Sequence, residues 1–345
     1  MTRQSFVPED LSQHVTPATF FFNRRQFMQS AVAGMLATGP VACMAGDLDE
    51  DAGVSNEGPI VIPVAYPEGF SFDRNEKIAI PASVKKDLTP RTTAGTHNNF
   101  YEFLPGRGGP VWKHVGEFKV EPWLLTVDGL CEKPMTLNLG ELHAITHEER
   151  LYHFRCVERW AMNVPWLGFP LRTLLDRVEP KSEAKYVRFV TVTDRENMSG
   201  LRQSTYPWPY HEALRLDEAM HDLTFLATGV YGEPLPVQHG APVRLVVPWK
   251  YGYKSPKSIV RIELTSDQPK TFWSAGSYAH EYGFLSNVNP NIPHPRWSQS
   301  ESYWLDSRQR FETPIFNGYD ERVRSMYPDE PRTPQKPLGR GQVAR

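Results

Sequence analysis

Leu151–Pro170 reads LYHFRCVERWAMNVPWLGFP. Its opening stretch, Leu151–Val157, is dense in apolar and aromatic residues and predicts a strand that delivers Cys156 at or near its end. Arg155 and Arg159 flank that cysteine. A positive field favours the thiolate, and the thiolate is the form that ligates a metal or attacks a substrate. On these residues alone three readings stand side by side: a metal ligand, a nucleophile paired with nearby His153, and an inert buried thiol. Downstream, Pro165–Pro170 is stiff and aromatic, suited to shaping a dry pocket.

Working outward, Trp123–Gly129 reads as a strand ending in a D-G turn. Asn138–Ile145 spaces Leu139, Leu142 and Ile145 three apart, a short helix with Asn138 as its cap. Pro170–Val178 predicts a second short helix with Pro170 near its first turn. Tyr186–Val192 predicts a strand with Val187 and Phe189 on one face and Arg188 and Val190 on the other. Further strands are expected at Thr224–Tyr231, Val243–Val247 and Ser258–Leu264. Short helices and many strands give the fold class α+β, sheet-dominated. Their alternation is too irregular for a doubly wound sheet, and no G-x-G-x-x-G opens a helix. Thr92–Pro110 (TTAGTHNNFYEFLPGRGGP) has neither period and is expected to be a long ordered loop.

Two further clusters have the chemistry of a binding site. Asn98–Phe103 (NNFYEF) sets two amides, a phenol and a carboxylate together, enough to hydrogen-bond the edges of a large polar heterocycle. A polar turn with aromatic anchors explains the same residues. His239–Arg244 and Pro248–Lys257 place Arg244, Lys254 and Lys257 beside glycine and serine, the tools for holding a phosphate. A solvated basic face beside a strand is the alternative.

Composition narrows the classes. Of 345 residues 40% are apolar and 23% charged, an ordinary globular balance. The net charge of −2 gives no electrostatic reason to expect nucleic acid as a partner. Thirty-one prolines argue against a helical bundle. Cys43, Cys131 and Cys156 form no C-x-x-C pair, so neither a disulfide scaffold nor attached haem is indicated, and Cys131 reads as structural. Arg24-Arg25 precede an uncharged run, Phe27–Ala45, too broken by glycine and proline to span a membrane. Residues 1–45 therefore resemble a twin-arginine export signal, cleaved near Ala45 to leave the protein in the periplasm.

Together the blocks resemble the sulfite-oxidase-fold molybdoenzymes and, within them, the catalytic subunits of periplasmic protein-methionine-sulfoxide reductases. The resemblance runs from about Asn98 to Trp297. It rests on NNFYEF, RCVERWAMNVPWLGFPL, LRLDEAMHDLTFLATGVYGEPLP, GAPVRLVVPWKYGYKS and NVNPNIPHPRWSQ, in that order. It implies a sulfite-oxidase-type molybdopterin-binding fold in a catalytic domain over 91–327, after an extended spacer over 46–90 and before a disordered tail over 328–345. It implies a molybdenum–molybdopterin cofactor, the metal bound by the pterin dithiolene and Cys156. Asn98, Tyr101, Glu102, Thr191, His239, Arg244, Ser255, Pro256 and Lys257 would hold the pterin and its phosphate. His239 stands where the family can carry asparagine, and Thr193–Leu214 is shorter and less glycine-rich, so the rim of the substrate entrance is expected to differ.

The activity implied is oxygen-atom transfer that reduces methionine sulfoxide in oxidised periplasmic proteins. With no haem in this chain, electrons would come from a haem-containing membrane subunit, and the twin-arginine export machinery would be a further partner. One alternative is sulfite oxidation on the same metal, in a compact cationic pocket built from Arg155, Arg159 and Arg202. Another is a non-catalytic periplasmic binding protein in which Cys156 is merely buried.

Overall fold

The computed structural model describes residues 60, 62–84, 87–104, 110–275, 281 and 283–336. The export signal read at 1–45, residues 46–59 of the extended spacer, the glycine-rich stretch 105–109 and the end of the tail, 337–345, lie outside the described residues.

Two sheets organise the described chain. In the larger, β1 (Phe72–Arg74) runs parallel to β4 (His147–Arg155), which pairs antiparallel with β5 (Trp160–Pro170). One end of β5 pairs antiparallel with β8 (Phe225–Val230), and the other runs parallel to β12 (Glu301–Trp304). β13 (Arg310–Glu312) lies beyond β12, while β9 (Glu233–Pro234) and β10 (Arg244–Val246) pair with β8. The smaller sheet has the order β3 (Met135–Asn138), β2 (Leu124–Gly129), β11 (Ile259–Thr265), β6 (Tyr186–Thr191), β7 (His211–Arg215), with β2 and β11 parallel. The helix Arg172–Val178 buries Leu174, Leu175 and Val178 and touches both β2 and β5, which joins the sheets through one core.

The α+β, sheet-dominated class read from the sequence is the class observed. On β6 the side chains alternate, with Val187 and Phe189 fully buried, each stabilising the fold by roughly 2 kcal/mol relative to exposure. The helix Leu139–His143 begins at the expected cap. Asn138 Oδ1 accepts from the Glu141 N–H (3.0 Å), and Glu141 Oε2 accepts from the Asn138 N–H (2.8 Å).

Three expectations need correction. Pro165–Pro170, expected to shape a dry pocket, is the end of strand β5, and none of its residues lines the cleft described below. β5 is buried on both faces, so it shows no alternation. The Pro165 carbonyl still accepts from Tyr231 N–H where β8 turns away, so the proline keeps its acceptor in the pairing although it has no N–H to donate. Pro170 accordingly ends a strand, and the helix begins at Arg172. The expected loop Thr92–Pro110 contains a helix, Arg91–Thr96, with no side-chain cap, held instead by burial of Ala94 and Gly95. The tail is anchored as far as it is described: Glu330 accepts from Asn287 and Asn289, and Arg332 lies over the Phe316 ring.

Candidate active site

β4 ends at Arg155, and Cys156 opens the tight turn into β5. Cys156 N–H donates to the Trp160 carbonyl (2.9 Å), Arg159 N–H donates to the Cys156 carbonyl (3.0 Å), and Arg159 takes φ 77°. This is a short hairpin closed by a left-handed residue, and it pins Cys156 at the strand end. The side chain lines a cleft of about 850 Å³, counted out to its mouth.

The same cleft is lined by Asn98, Tyr101, Glu102, His239, Arg244, Ser255, Pro256 and Lys257. Of the residues implied for the pterin, Thr191 alone stands outside the lining. Its hydroxyl is 3.1 Å from both Glu102 Oε1 and the Tyr210 carbonyl, so it steadies Glu102 from behind. Backbone contacts tie the walls together. Lys257 Nζ donates to the Asn99 carbonyl (2.8 Å), Asn98 Nδ2 to the Gln238 carbonyl (2.8 Å), and Gly200 N–H to the Glu102 carbonyl (2.8 Å). Arg244 Nη1 donates to the His239 carbonyl (2.9 Å), with the guanidinium over the Trp166 ring.

The electrostatics ask for an anion. Burial pushes Arg244 down to about 9. Lys257 falls to about 7 through desolvation and then repulsion by Arg244. Burial lifts Glu102 to about 7. Among the described residues no carboxylate is within ion-pair distance of Arg244 or Lys257, and Asn98 Oδ1 is buried without a hydrogen-bond partner. A ligand with an anionic end and donor edges would relieve both defects, because a buried cation is stable only when paired. A phosphorylated pterin has that chemistry, so the residues present fit the group. His239 is held neutral, its pKa pushed to about 3 by burial and then by Arg244 and Lys257, so it can offer one ring N–H. Lys254, grouped with Arg244 and Lys257 as a phosphate cation, is instead engaged by Glu212 (2.7 Å) and the Ala213 carbonyl.

Cys156 itself departs from expectation. Its arginine neighbours do not by themselves create a thiolate, because burial and then the Glu158 carboxylate drive the free thiol well above its ordinary range. Arg155 points away, donating to Ser302 Oγ (2.7 Å) and Gln299 Oε1 (2.8 Å). His153 is no partner for the thiol, since its Nδ1 meets Asn163 Oδ1 (2.8 Å) and its ring packs against Trp304 and Phe311. Nor do Arg155, Arg159 and Arg202 build a compact pocket for a small dianion, because none of them lines the cleft.

Several lining residues were missed. Asn99 Nδ2 is 3.0 Å from Glu158 Oε2 and 3.9 Å from Cys156 Sγ, and Trp160 Nε1 is 3.2 Å from the same carboxylate oxygen. Asn99, Glu158 and Trp160 lie inside the quoted blocks, so proximity to Asn98 and Cys156 was the available signal. Tyr210 and Trp273, joined by a 3.2 Å hydrogen bond, carry no local signal at all.

Comparison with known proteins agrees with this geometry. Residues 112–273 match the family described as "Oxidoreductase molybdopterin binding domain". The chain is 45% identical over 324 residues to "Protein-methionine-sulfoxide reductase catalytic subunit MsrP" of Pseudomonas syringae pv. tomato, covering 91% of this chain and 93% of that protein. It is 42% identical to the proteins of the same name from Burkholderia mallei, over 94% of this chain and 95% of that one, and Xanthomonas axonopodis pv. citri, over 92% and 94%. A cleft that seeks an anionic, hydrogen-bonding ligand beside a cysteine, in a chain with such relatives along nearly its whole length, belongs to the family of molybdopterin-dependent protein-methionine-sulfoxide reductase catalytic subunits.

Proposed function

We propose that this chain reduces methionine sulfoxide residues of oxidised periplasmic proteins, with a molybdenum–pterin cofactor in the cleft and Cys156 as the protein's thiolate ligand to the metal. The observation that carries the reading is that Cys156, the Asn98–Glu102 loop and the Arg244/Lys257 pair line one cleft. Arg244 and Lys257 would take the phosphate end. Asn98, Tyr101, Glu102, His239 and the Ser255–Lys257 turn would take the pterin edges. When bound, the cofactor supplies two-electron oxygen-atom transfer, by which the sulfoxide loses its oxygen, the thioether leaves, and two electrons with two protons carry that oxygen away as water.

The protein's part is ligation, orientation and exclusion of water. Metal coordination deprotonates a thiol outright, which overrides the burial that keeps the free Cys156 protonated. Asn99 and Trp160 both donate toward Glu158, which fixes its carboxylate beside the sulfur. Trp160, Tyr253 and Trp273 wall the cleft with rings. Reduction converts a polar sulfoxide back to a flexible apolar side chain. Export by the twin-arginine machinery is supported by Arg24-Arg25 and the run to Ala45. Electrons from a haem-containing membrane subunit complete the cycle.

The test is metal and pterin analysis of the folded, exported protein, together with reduction of oxidised periplasmic proteins by dithionite and a viologen dye. About one molybdenum per chain and dye-driven repair are expected. Turnover surviving Cys156→Ser at undiminished metal content would overturn the ligand assignment. Turnover of sulfite but not of a sulfoxide peptide would overturn the substrate.

A further inference from the structure

Two arginines occupy backbone positions where glycine or asparagine is usual. Arg159 (φ 77°) sits in the turn between β4 and β5, and Arg308 (φ 61°) in the turn between β12 and β13. A residue with a long side chain adopts this left-handed backbone at a cost. The pairing of Trp160 with Tyr303 brings the two turns side by side. Both arginines then line one open pocket of about 510 Å³ with Glu301, Ser302, Tyr303 and Arg310. Arg310 is within 3.4 Å of exposed Glu301. Arg159 and Arg308 have no carboxylate in ion-pair distance among the described residues, and Arg308 rests over the Tyr303 ring.

This basic pocket adjoins the cofactor cleft without overlapping it. The two share no lining residue, yet Arg159 N–H donates to the Cys156 carbonyl in the turn that carries the thiol. His97 lies within the electrostatic reach of both Arg308 and Glu158, and its ring meets Trp160 edge-on, so the pocket opens close to the cleft. A partner seated on the arginines leaves the cleft to the substrate.

We propose that this arginine pocket is the docking site for an acidic surface of the electron-donating partner. The inference rests on the reductase reading of the cleft. Substrate proteins are many and share only an oxidised methionine, whereas a fixed charged pocket suits one dedicated partner. Redox encounters are small and weak, and charge steers them. Two one-electron passes from the donor's haem iron, which would be oxidised in turn, would return the two electrons each turnover consumes, while solvent would supply the two protons that leave in water.

The test uses the holoenzyme with oxidised casein as substrate. Membrane vesicles carrying the haem partner and reduced by a quinol drive one arm, and dithionite with benzyl viologen drives the other. Arg308→Gly removes the charge and suits the left-handed backbone, so folding is preserved. It is expected to lose about tenfold in vesicle-driven rate at low salt and nothing with the dye. Added salt should slow the wild type and leave the variant flat, and Arg308→Lys should stay within about twofold of wild type. Equal vesicle-driven rates for wild type and Arg308→Gly would overturn the proposal. So would an equal loss with the dye, or a raised KM for casein with the dye, which would assign the pocket to substrate. Arginine-dependent binding to phosphatidylglycerol vesicles that lack the partner would overturn it in favour of lipid. Failure of the wild type to turn over with the dye would strike the reductase reading itself.

Discussion

Lys257 Nζ lies 2.8 Å from the carbonyl oxygen of Asn99, which closes the turn after β10 onto the NNFYEF loop across 158 residues of chain. The contact uses one of the ammonium's three donors and leaves its charge, like that of Arg244, facing the cleft without a carboxylate.

Arg244→Met should therefore separate stability from cofactor retention. Removing a buried unpaired cation offsets the loss of its bonds to the His239 and Ser255 carbonyls. The denaturant midpoint of the cofactor-free protein should shift by no more than about 1 kcal/mol equivalent. Molybdenum per chain, measured on the exported protein, should fall at least tenfold, by roughly the effect of losing a charge-assisted phosphate contact.

Gly200 packs beneath the cofactor loop. A Cβ there would meet the Tyr101 carbonyl oxygen at 2.1 Å and the Glu102 carbonyl oxygen at 2.7 Å, both backbone atoms that cannot rotate aside. Gly200→Ala should displace the loop, costing about 1–3 kcal/mol of stability. Activity per chain should drop by about a hundredfold, the scale of an ångström-sized misplacement. Dye-driven turnover beside thermal unfolding would read both.

His153 predicts an acid limb in the stability profile. Its pKa is pushed to about 4 by burial, below the 6.5 of the unfolded chain. Between those values the unfolded chain takes up a proton that the folded protein refuses. Its contribution is thus full above pH 6.5 and lost as pH falls toward 4, by at most about 3 kcal/mol. Unfolding midpoints measured from pH 7 to 4 should fall less steeply in His153→Gln, which keeps a donor for Asn163; parallel curves would contradict this origin.

Asn138→Ala tests the helix cap. Losing the bond from Glu141 N–H to Asn138 Oδ1 should cost about 1 kcal/mol with no change in turnover. Chemical denaturation of the purified protein would show it.

What could be read from the chain was local in cause. Alternation on β6, the strand β2 that ends at Asp128-Gly129, the cap at Asn138 and the strand that presents Cys156 each follow from residues a few positions apart. β5 escaped because burial on both faces erases the alternation that marks a strand, and its prolines counted against it. The helix Arg91–Thr96 escaped because its stabilisation comes from packing rather than propensity.

The sequence by itself determined the set of chemical tools: one cysteine among arginines, an amide–phenol–carboxylate loop and a lysine-rich turn. Tertiary structure decided which of them remain available. Lys254 and Lys257 stand three residues apart in one motif, but Glu212 meets the first while the second faces the cleft. Arg155 adjoins Cys156 in sequence, but its guanidinium is held by Ser302 and Gln299. Charge along a chain says which fields are possible, whereas burial and pairing, set by distant segments, decide which of those fields a site feels.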